Sequence, residues 1–180
     1  MARIGVDYLK TAGPPERFAE AYQLAGVHGL KRTAHSSEHA PVAVNKVTCL
    51  GVLGCGRNDH GYFAREDHTV IARLREDQTS FTGIFTTSRR SWRPWRRASV
   101  KAMIHAGLKV ILASNDPGMF PTTLANEYRI AVNELGLDRA WLRRSALAGV
   151  DACWQPDAEK AALKESMTAE IEALEQELFG

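Results

Sequence analysis

Imidazoles, carboxylates and an amide stand at three points where an apolar run has just ended. His35 and Glu38 follow Leu30-Lys-Arg-Thr-Ala34, His60 follows Cys55-Gly-Arg-Asn58, and Asn115-Asp116 follow Lys109-Val-Ile-Leu-Ala113. Gathered on one face, such groups suit a metal ion that activates water, with a carboxyl group beside it to shuttle protons. Each also has a plainer reading. His35 alone reads as a hydrogen-bonded structural histidine, and Asn115-Asp116-Pro117-Gly118 as an Asx turn before a helix cap at Thr122 or Thr123. The common position of all three favours chemistry, because α/β folds place it at the carboxyl ends of buried strands, just before the following helix.

The elements that must position these residues repeat with a steady period. Apolar strands begin near residues 3, 30, 55, 80 and 109, at intervals of 27, 25, 25 and 29 residues. A (β/α)8 barrel of about 250 residues has roughly 31 residues per unit, so these intervals are barrel-like. Strict alternation of strand and helix argues for a parallel sheet with helices outside. Helical spacing follows Pro14-Pro15 (Phe18, Ala21, Tyr22, Ala25), with Glu66-Asp67 as the cap of a helix through Val70, Ile71 and Leu74. Later helices are expected over 99–106, 124–135, 139–148 and 156–178. The last carries Leu163, Met167, Ile171, Leu174 and Leu178 as one stripe that must dock somewhere. Five strands cannot close an eight-stranded barrel. The expected fold is an α/β partial (β/α)8 TIM barrel of about five units, a single domain over 1–180 with a helical extension over 150–180.

Composition is that of an ordinary globular chain, with 44% hydrophobic and 24% charged residues in 180. A net charge of +2 is too small to name a partner. Cys49, Cys55 and Cys153 form no C-x-x-C pair, which argues for reduced thiols and a cytoplasmic location. The start, Met-Ala-Arg-Ile-Gly-Val-Asp, reads as no signal peptide, and no apolar run approaches a membrane span.

With the elements placed, the motifs resemble the adenosine deaminase family of zinc-dependent purine deaminases. Thr33-Ala-His-Ser-Ser-Glu38 looks like that family's T-A-H-A-G-E, and Asp59-His-Gly-Tyr62 resembles its G-H-G-Y. Ser114-Asn-Asp-Pro-Gly-Met-Phe-Pro-Thr-Thr-Leu-Ala-Asn-Glu-Tyr128 is close to its S-D-D-P-x-x-F-G-T-T-L-x-x-E-Y, and Gly5-Val-Asp7 matches the preceding strand. Order and spacing agree from residue 3 to about 165, the C-terminal half of the family's barrel.

The resemblance implies hydrolytic deamination at C6 of adenosine or adenine, with Zn2+ as cofactor and a purine nucleoside or base as partner. It places His35 on a zinc-binding histidine and Glu38 on the general acid that protonates the purine ring. His60 falls on the histidine that orients the zinc-bound hydroxide. Asn115 stands where the family has its zinc-ligating aspartate, Asp116 where an aspartate hydrogen-bonds the purine, and Asp7 on the strand that contributes to substrate binding. Several positions depart from the pattern. The histidines are 28, 35, 39, 60, 68 and 105, so the family's H-x-H pair of ligands is absent. Asn115 is an amide, Ser36-Ser37 replace A-G, Lys10 stands for a glycine, and Phe85-Thr-Thr-Ser-Arg89 replaces C-P-x-S-N. Catalytic zinc keeps about three protein ligands plus water. The chain by itself is therefore expected to be a weak deaminase or none.

Other readings were open at this level. His35-Ser-Ser-Glu38-His39 fits an H-x-x-E-H metal motif, but that motif needs a helix, and here a strand precedes it and Pro41 follows. Arg89 to Arg97 holds five arginines and two tryptophans in nine residues, which suits single-stranded nucleic acid. A solvated loop is the preferred reading, since no second basic patch extends a binding track. An inactive half-barrel serving as a binding or scaffold protein is the alternative function. Open sheet edges predict self-association.

Overall fold

The computed structural model describes residues 2–7, 13–38, 45–86 and 90–180. Five strands, β1 (Arg3–Val6), β2 (Lys31–Ser36), β3 (Arg57–His60), β4 (Ser80–Gly83) and β5 (Lys109–Leu112), form one parallel sheet in chain order. Between them lie α1 (Ala19–Val27), α2 (Asn45–Gly51), α3 (His68–Glu76) and α4 (Arg93–His105). After β5 come α5 (Leu124–Asn133), α6 (Arg139–Ala152) and α7 (Asp157–Phe179). This is the expected alternation, with every strand present.

Burial alternates along the strands and assigns the two faces. Ala34, Asn58, Phe81, Val110 and Leu112 are buried under the helices, where Phe81, Val110 and Leu112 join Leu74, Val100, Met103 and Ile130 in the main core. Tyr22, Ala34, Cys49, Leu53 and Cys55 form a second cluster against which Ile4 and Val6 pack. The opposite face carries Thr33, His35, Asp59, Thr82 and Ile111, all half-buried. A parallel sheet ordinarily buries both faces in apolar side chains. Here the second face is largely polar.

Local sequence explains where the chain turns. Asp67 caps α3 by accepting from the backbone N–H groups of Thr69 and Val70. Thr123 caps α5 through Asn126 N–H, and Asp138 caps α6 through Trp141 N–H. β2 and β3 run later than expected, so that His35 and His60 lie on the strands rather than after them. Of the run 89–97, expected as a loop, residues 90–97 are helical: a 3-10 turn over Arg90–Trp92 leads into α4, which begins at Arg93 with Pro94 in its first turn. Arg89, Lys10 and His39, three positions weighed above, lie outside the described residues. The leucine stripe of α7 docks only in part. Met167 and Ile171 are half-buried, whereas Leu163, Leu174 and Leu178 are exposed. Ion pairs from Arg143 of α6 to Glu172 and Glu175 hold the helix in place.

Candidate active site

Register brings the candidate residues together at the carboxyl end of the sheet. His35 of β2 is the direct neighbour of Asp59 in β3, and Ser36 that of His60. His35 and His60 stand edge to face, with ring centroids 4.7 Å apart. They share a cleft of about 360 Å³ with Asp59, Thr82, Ile84, Leu112, Ala113, Ser114, Asn115 and Leu124. Three residues at these strand ends take left-handed backbone: Ser37 (φ 50°), His60 (φ 68°) and Asn115 (φ 58°). Non-glycine residues hold that conformation only where surroundings impose it, and such positions gather at functional sites. Gly61 is required for a separate reason. Its φ is 91°, and a Cβ there would meet Lys46 Cε at 2.6 Å.

Behind the cleft the polar groups are tied to one another. Glu38, buried, faces His60 Nε2 through Oε2 at 3.7 Å and receives Arg96 Nη2 on Oε1 at 3.3 Å. Arg96 also donates to the Thr86 carbonyl at 3.2 Å, and its guanidinium lies 4.6 Å above the Tyr62 ring. Tyr62 Oη is 3.1 Å from His60 Nδ1. Burial pushes the His60 imidazole well below its ordinary pKa, and His35, Arg96 and Lys46 push it the same way; Glu38 opposes them. Burial outweighs the carboxylate, so His60 stays neutral. Glu127 closes the chain of contacts. It is fully buried, accepting the Phe85 N–H at 2.6 Å, Thr86 Oγ1 at 2.5 Å and Thr122 Oγ1 at 2.7 Å.

The front of the cleft is more open. His35 is 27% exposed, and its Nδ1 lies 3.9 Å from Asp59 Oδ2. Asp59 is held on both oxygens, by the Thr33 hydroxyl at 3.0 Å and the Thr82 hydroxyl at 3.0 Å. Asn115 lines the cleft; Asp116 does not. Asp116 is exposed, and its carboxylate accepts the Gly118 N–H at 3.1 Å, the Asx turn weighed above. Asp7 is exposed just beyond β1 and is also outside this cleft. Four residues of the site went unread in the sequence: Asp59, Lys46, Arg96 and Glu127. Asp59 had a signal, since it stands at the first glycine of the G-H-G-Y pattern. Lys46, fully buried with Nζ donating to the Asp59 carbonyl at 3.2 Å, had none.

The donor set does not fit a catalytic zinc ion. Among the described residues no group of three or more His, Cys, Asp or Glu side chains is arranged to hold a metal. His35 has only the Asn115 amide beside it in the cleft as a family-position ligand, and Asp59, the nearby carboxylate, is oriented by the Thr33 and Thr82 hydroxyls with its Oδ2 3.9 Å from His35 Nδ1.

A parallel α/β half-barrel with its polar site at the strand carboxyl ends is the architecture these observations define. The adenosine deaminase family model matches residues 3–170, and the chain belongs to that family. It is 31% identical over 172 residues to an adenine deaminase of Streptomyces coelicolor, covering 94% of this chain and 50% of the relative. Among solved structures, an amidohydrolase from Burkholderia ambifaria with bound Zn superposes with a TM-score of 0.91 at 29% identity, over 98% of this chain and 50% of that one. An adenine deaminase from Arthrobacter aurescens superposes with a TM-score of 0.84 at 28% identity, over 96% of this chain and 53% of that one. The chain thus spans about half the length of the relatives it matches. It is a partial (β/α)8 barrel.

Proposed function

We propose that this chain is an adenosine-deaminase-like half-barrel that keeps residues at several family site positions, His35, Glu38 and His60 among them, and lacks a full set of metal ligands. The family reaction is hydrolytic deamination of adenine or adenosine at C6, giving hypoxanthine or inosine and ammonia. By itself the chain carries this out weakly or not at all. The observation that carries this reading is the ligand set: of the two imidazoles lining the cleft only His35 stands at a family zinc-ligand position, beside the Asn115 amide, where a hydrolytic zinc needs about three protein ligands. His35, Glu38, His60 and Asn115 are the site residues, with Asp116 and Asp7 as peripheral substrate contacts. A purine base or nucleoside is the ligand class, and the cytoplasm is the proposed location. Similarity to the proteins named adenine deaminase above supports adenine, rather than adenosine, as the ligand of this chain.

A second reading, a binding or scaffold protein without turnover, draws support from Glu38. Its carboxylate is engaged by Arg96 inside the protein, where the family's general acid must give up a proton. Self-association belongs to either reading. Both turn on one measurement, metal content after purification without added metal, followed by ammonia release from adenine and from adenosine. Less than about a tenth of an equivalent of zinc and no release above buffer are expected. Near one equivalent of zinc, lost in His35→Ala, together with turnover, would overturn the proposal.

A further inference from the structure

The two edges of the sheet are not equivalent. Along β5 the Ala113 N–H donates to Gly83 of β4 at 3.1 Å, so the backbone groups of Val110 and Leu112 point away from β4. Ser145 of α6 meets both: its hydroxyl donates to the Val110 carbonyl and accepts the Leu112 N–H, each at 3.3 Å. The backbone groups of this edge are thus already engaged by α6. Along β1 the Ala2 carbonyl accepts the Lys31 N–H at 3.4 Å, so by alternation the backbone groups of Arg3 and Gly5 face outward. β1 ends the sheet.

The sequence along this open edge is self-complementary in one direction only. Arg3-Ile4-Gly5-Val6-Asp7, turned about Gly5, sets Arg3 opposite Asp7 and Ile4 opposite Val6. Arg3, Gly5 and Asp7 are exposed and share the polar face, since a Cβ on Gly5 would meet Thr33 Cγ2 at 3.1 Å. Ile4 and Val6 alternate onto the other face and pack on the Tyr22 cluster. In-register parallel pairing would set Arg3 on Arg3 and Asp7 on Asp7. Antiparallel pairing about Gly5 instead makes each charge meet its opposite, and it uses the backbone groups of the very residues that face outward. Opposite charges directly across a sheet are stabilising, and like charges are destabilising.

We propose that two copies of this chain join β1 to β1 antiparallel about Gly5, doubling the five-stranded sheet. Arg3 of one copy then meets Asp7 of the partner subunit, and the same contact recurs across the two-fold axis. The inference rests on the self-association proposed above and specifies its edge and register.

Sedimentation velocity of the full chain at tens of micromolar, without metal or purine, tests it. The wild type sediments as a dimer. Arg3→Asp, and separately Asp7→Arg, weakens association by at least about tenfold, because each sets like charges across the axis at both contacts. The double variant R3D/D7R restores the dimer. Both residues are exposed, so circular dichroism remains that of the wild type. A dimer indifferent to either reversal, or a double variant as weak as the singles, sinks the β1 edge while leaving self-association standing. A monomeric wild type sinks both. Zinc content and turnover play no part in this readout, so it stands or falls separately from the catalytic reading.

Discussion

The back and the front of the cleft satisfy their polar groups differently. At the back, Glu38, Arg96, Thr86, Tyr62, His60 and Glu127 close into a buried network in which protein meets protein. At the front, His35 and Asn115 look into open space, and of the front residues only Asp59 is fully held. The residues that hold strand ends in place are intact, whereas those that would hold a metal are reduced to one imidazole and an amide. Scaffold and chemistry are therefore separable in this chain. The half-barrel architecture stands here beside an incomplete set of metal ligands.

The largest effect that tests this contrast is expected at the back. Glu127 brings one carboxylate to three donors from the end of β4 and the start of α5. Glu127→Ala leaves those donors without a partner in a water-excluded place and opens a cavity beneath them. Each orphaned group costs about 1–3 kcal/mol, so a loss of roughly 3–5 kcal/mol of folding stability is expected. Urea unfolding followed by circular dichroism reads it. A loss under about 1 kcal/mol would show that the network is ornamental.

How much of this was legible in sequence depended on range. Each strand and its period could be read because apolar runs and turn signals are local. His35, His60 and Asn115 could be placed at strand ends for the same reason. Asp116 was read two ways, as a purine contact and as an Asx turn, and its geometry with Gly118 is that of the turn. Arg96 was illegible. It sits in a run of arginines and tryptophans that looked solvated, and only the approach of α4 to the end of β2 gives it Glu38, 58 positions away, as a partner. Glu127 was quoted as part of a motif without a role, since its partners Phe85 and Thr86 lie over 40 residues upstream. The leucine stripe of α7 had the right period but found only part of a surface. Long-range polar pairing leaves no periodic trace, and that is what sequence reading missed.

An intermediate effect is expected from pH. His60 is neutral in the folded protein because burial lowers its affinity for protons, despite Glu38 at 3.7 Å. In the unfolded chain it returns to an ordinary value near 6.5. Below that pH the unfolded state binds a proton that the folded state refuses. Stability therefore falls as pH drops from about 6.5, with a slope of at most about 1.4 kcal/mol per pH unit from this one group. The folded state recovers its share only below the depressed folded value. His60→Gln should flatten the slope between pH 6.5 and 5 relative to the wild type. Equal slopes in the two proteins would mean that Glu38 and Arg96 hold His60 in another protonation state.

The smallest effect is expected at the front, and it decides whether the contrast is real. His35 projects from the polar face of β2, is more than a quarter exposed, stands edge to face on His60, and meets Asp59 at a distance too long for a strong hydrogen bond. Asp59 does not need it, since Thr33 and Thr82 already occupy both carboxylate oxygens. His35→Ala therefore removes a side chain that water can replace, and its cost in urea unfolding should stay below about 1 kcal/mol. A metal-bound imidazole would behave differently, because loss of a ligand removes the binding free energy of the ion as well as a contact. The paired measurement is thus unfolding of wild type and His35→Ala, each with and without a chelator. The chelator is expected to shift neither protein's transition. A wild type that the chelator destabilises, beside a His35→Ala variant that ignores it, would mean that the front of the cleft has recruited ligands of its own, and the separation of scaffold from chemistry would fail there.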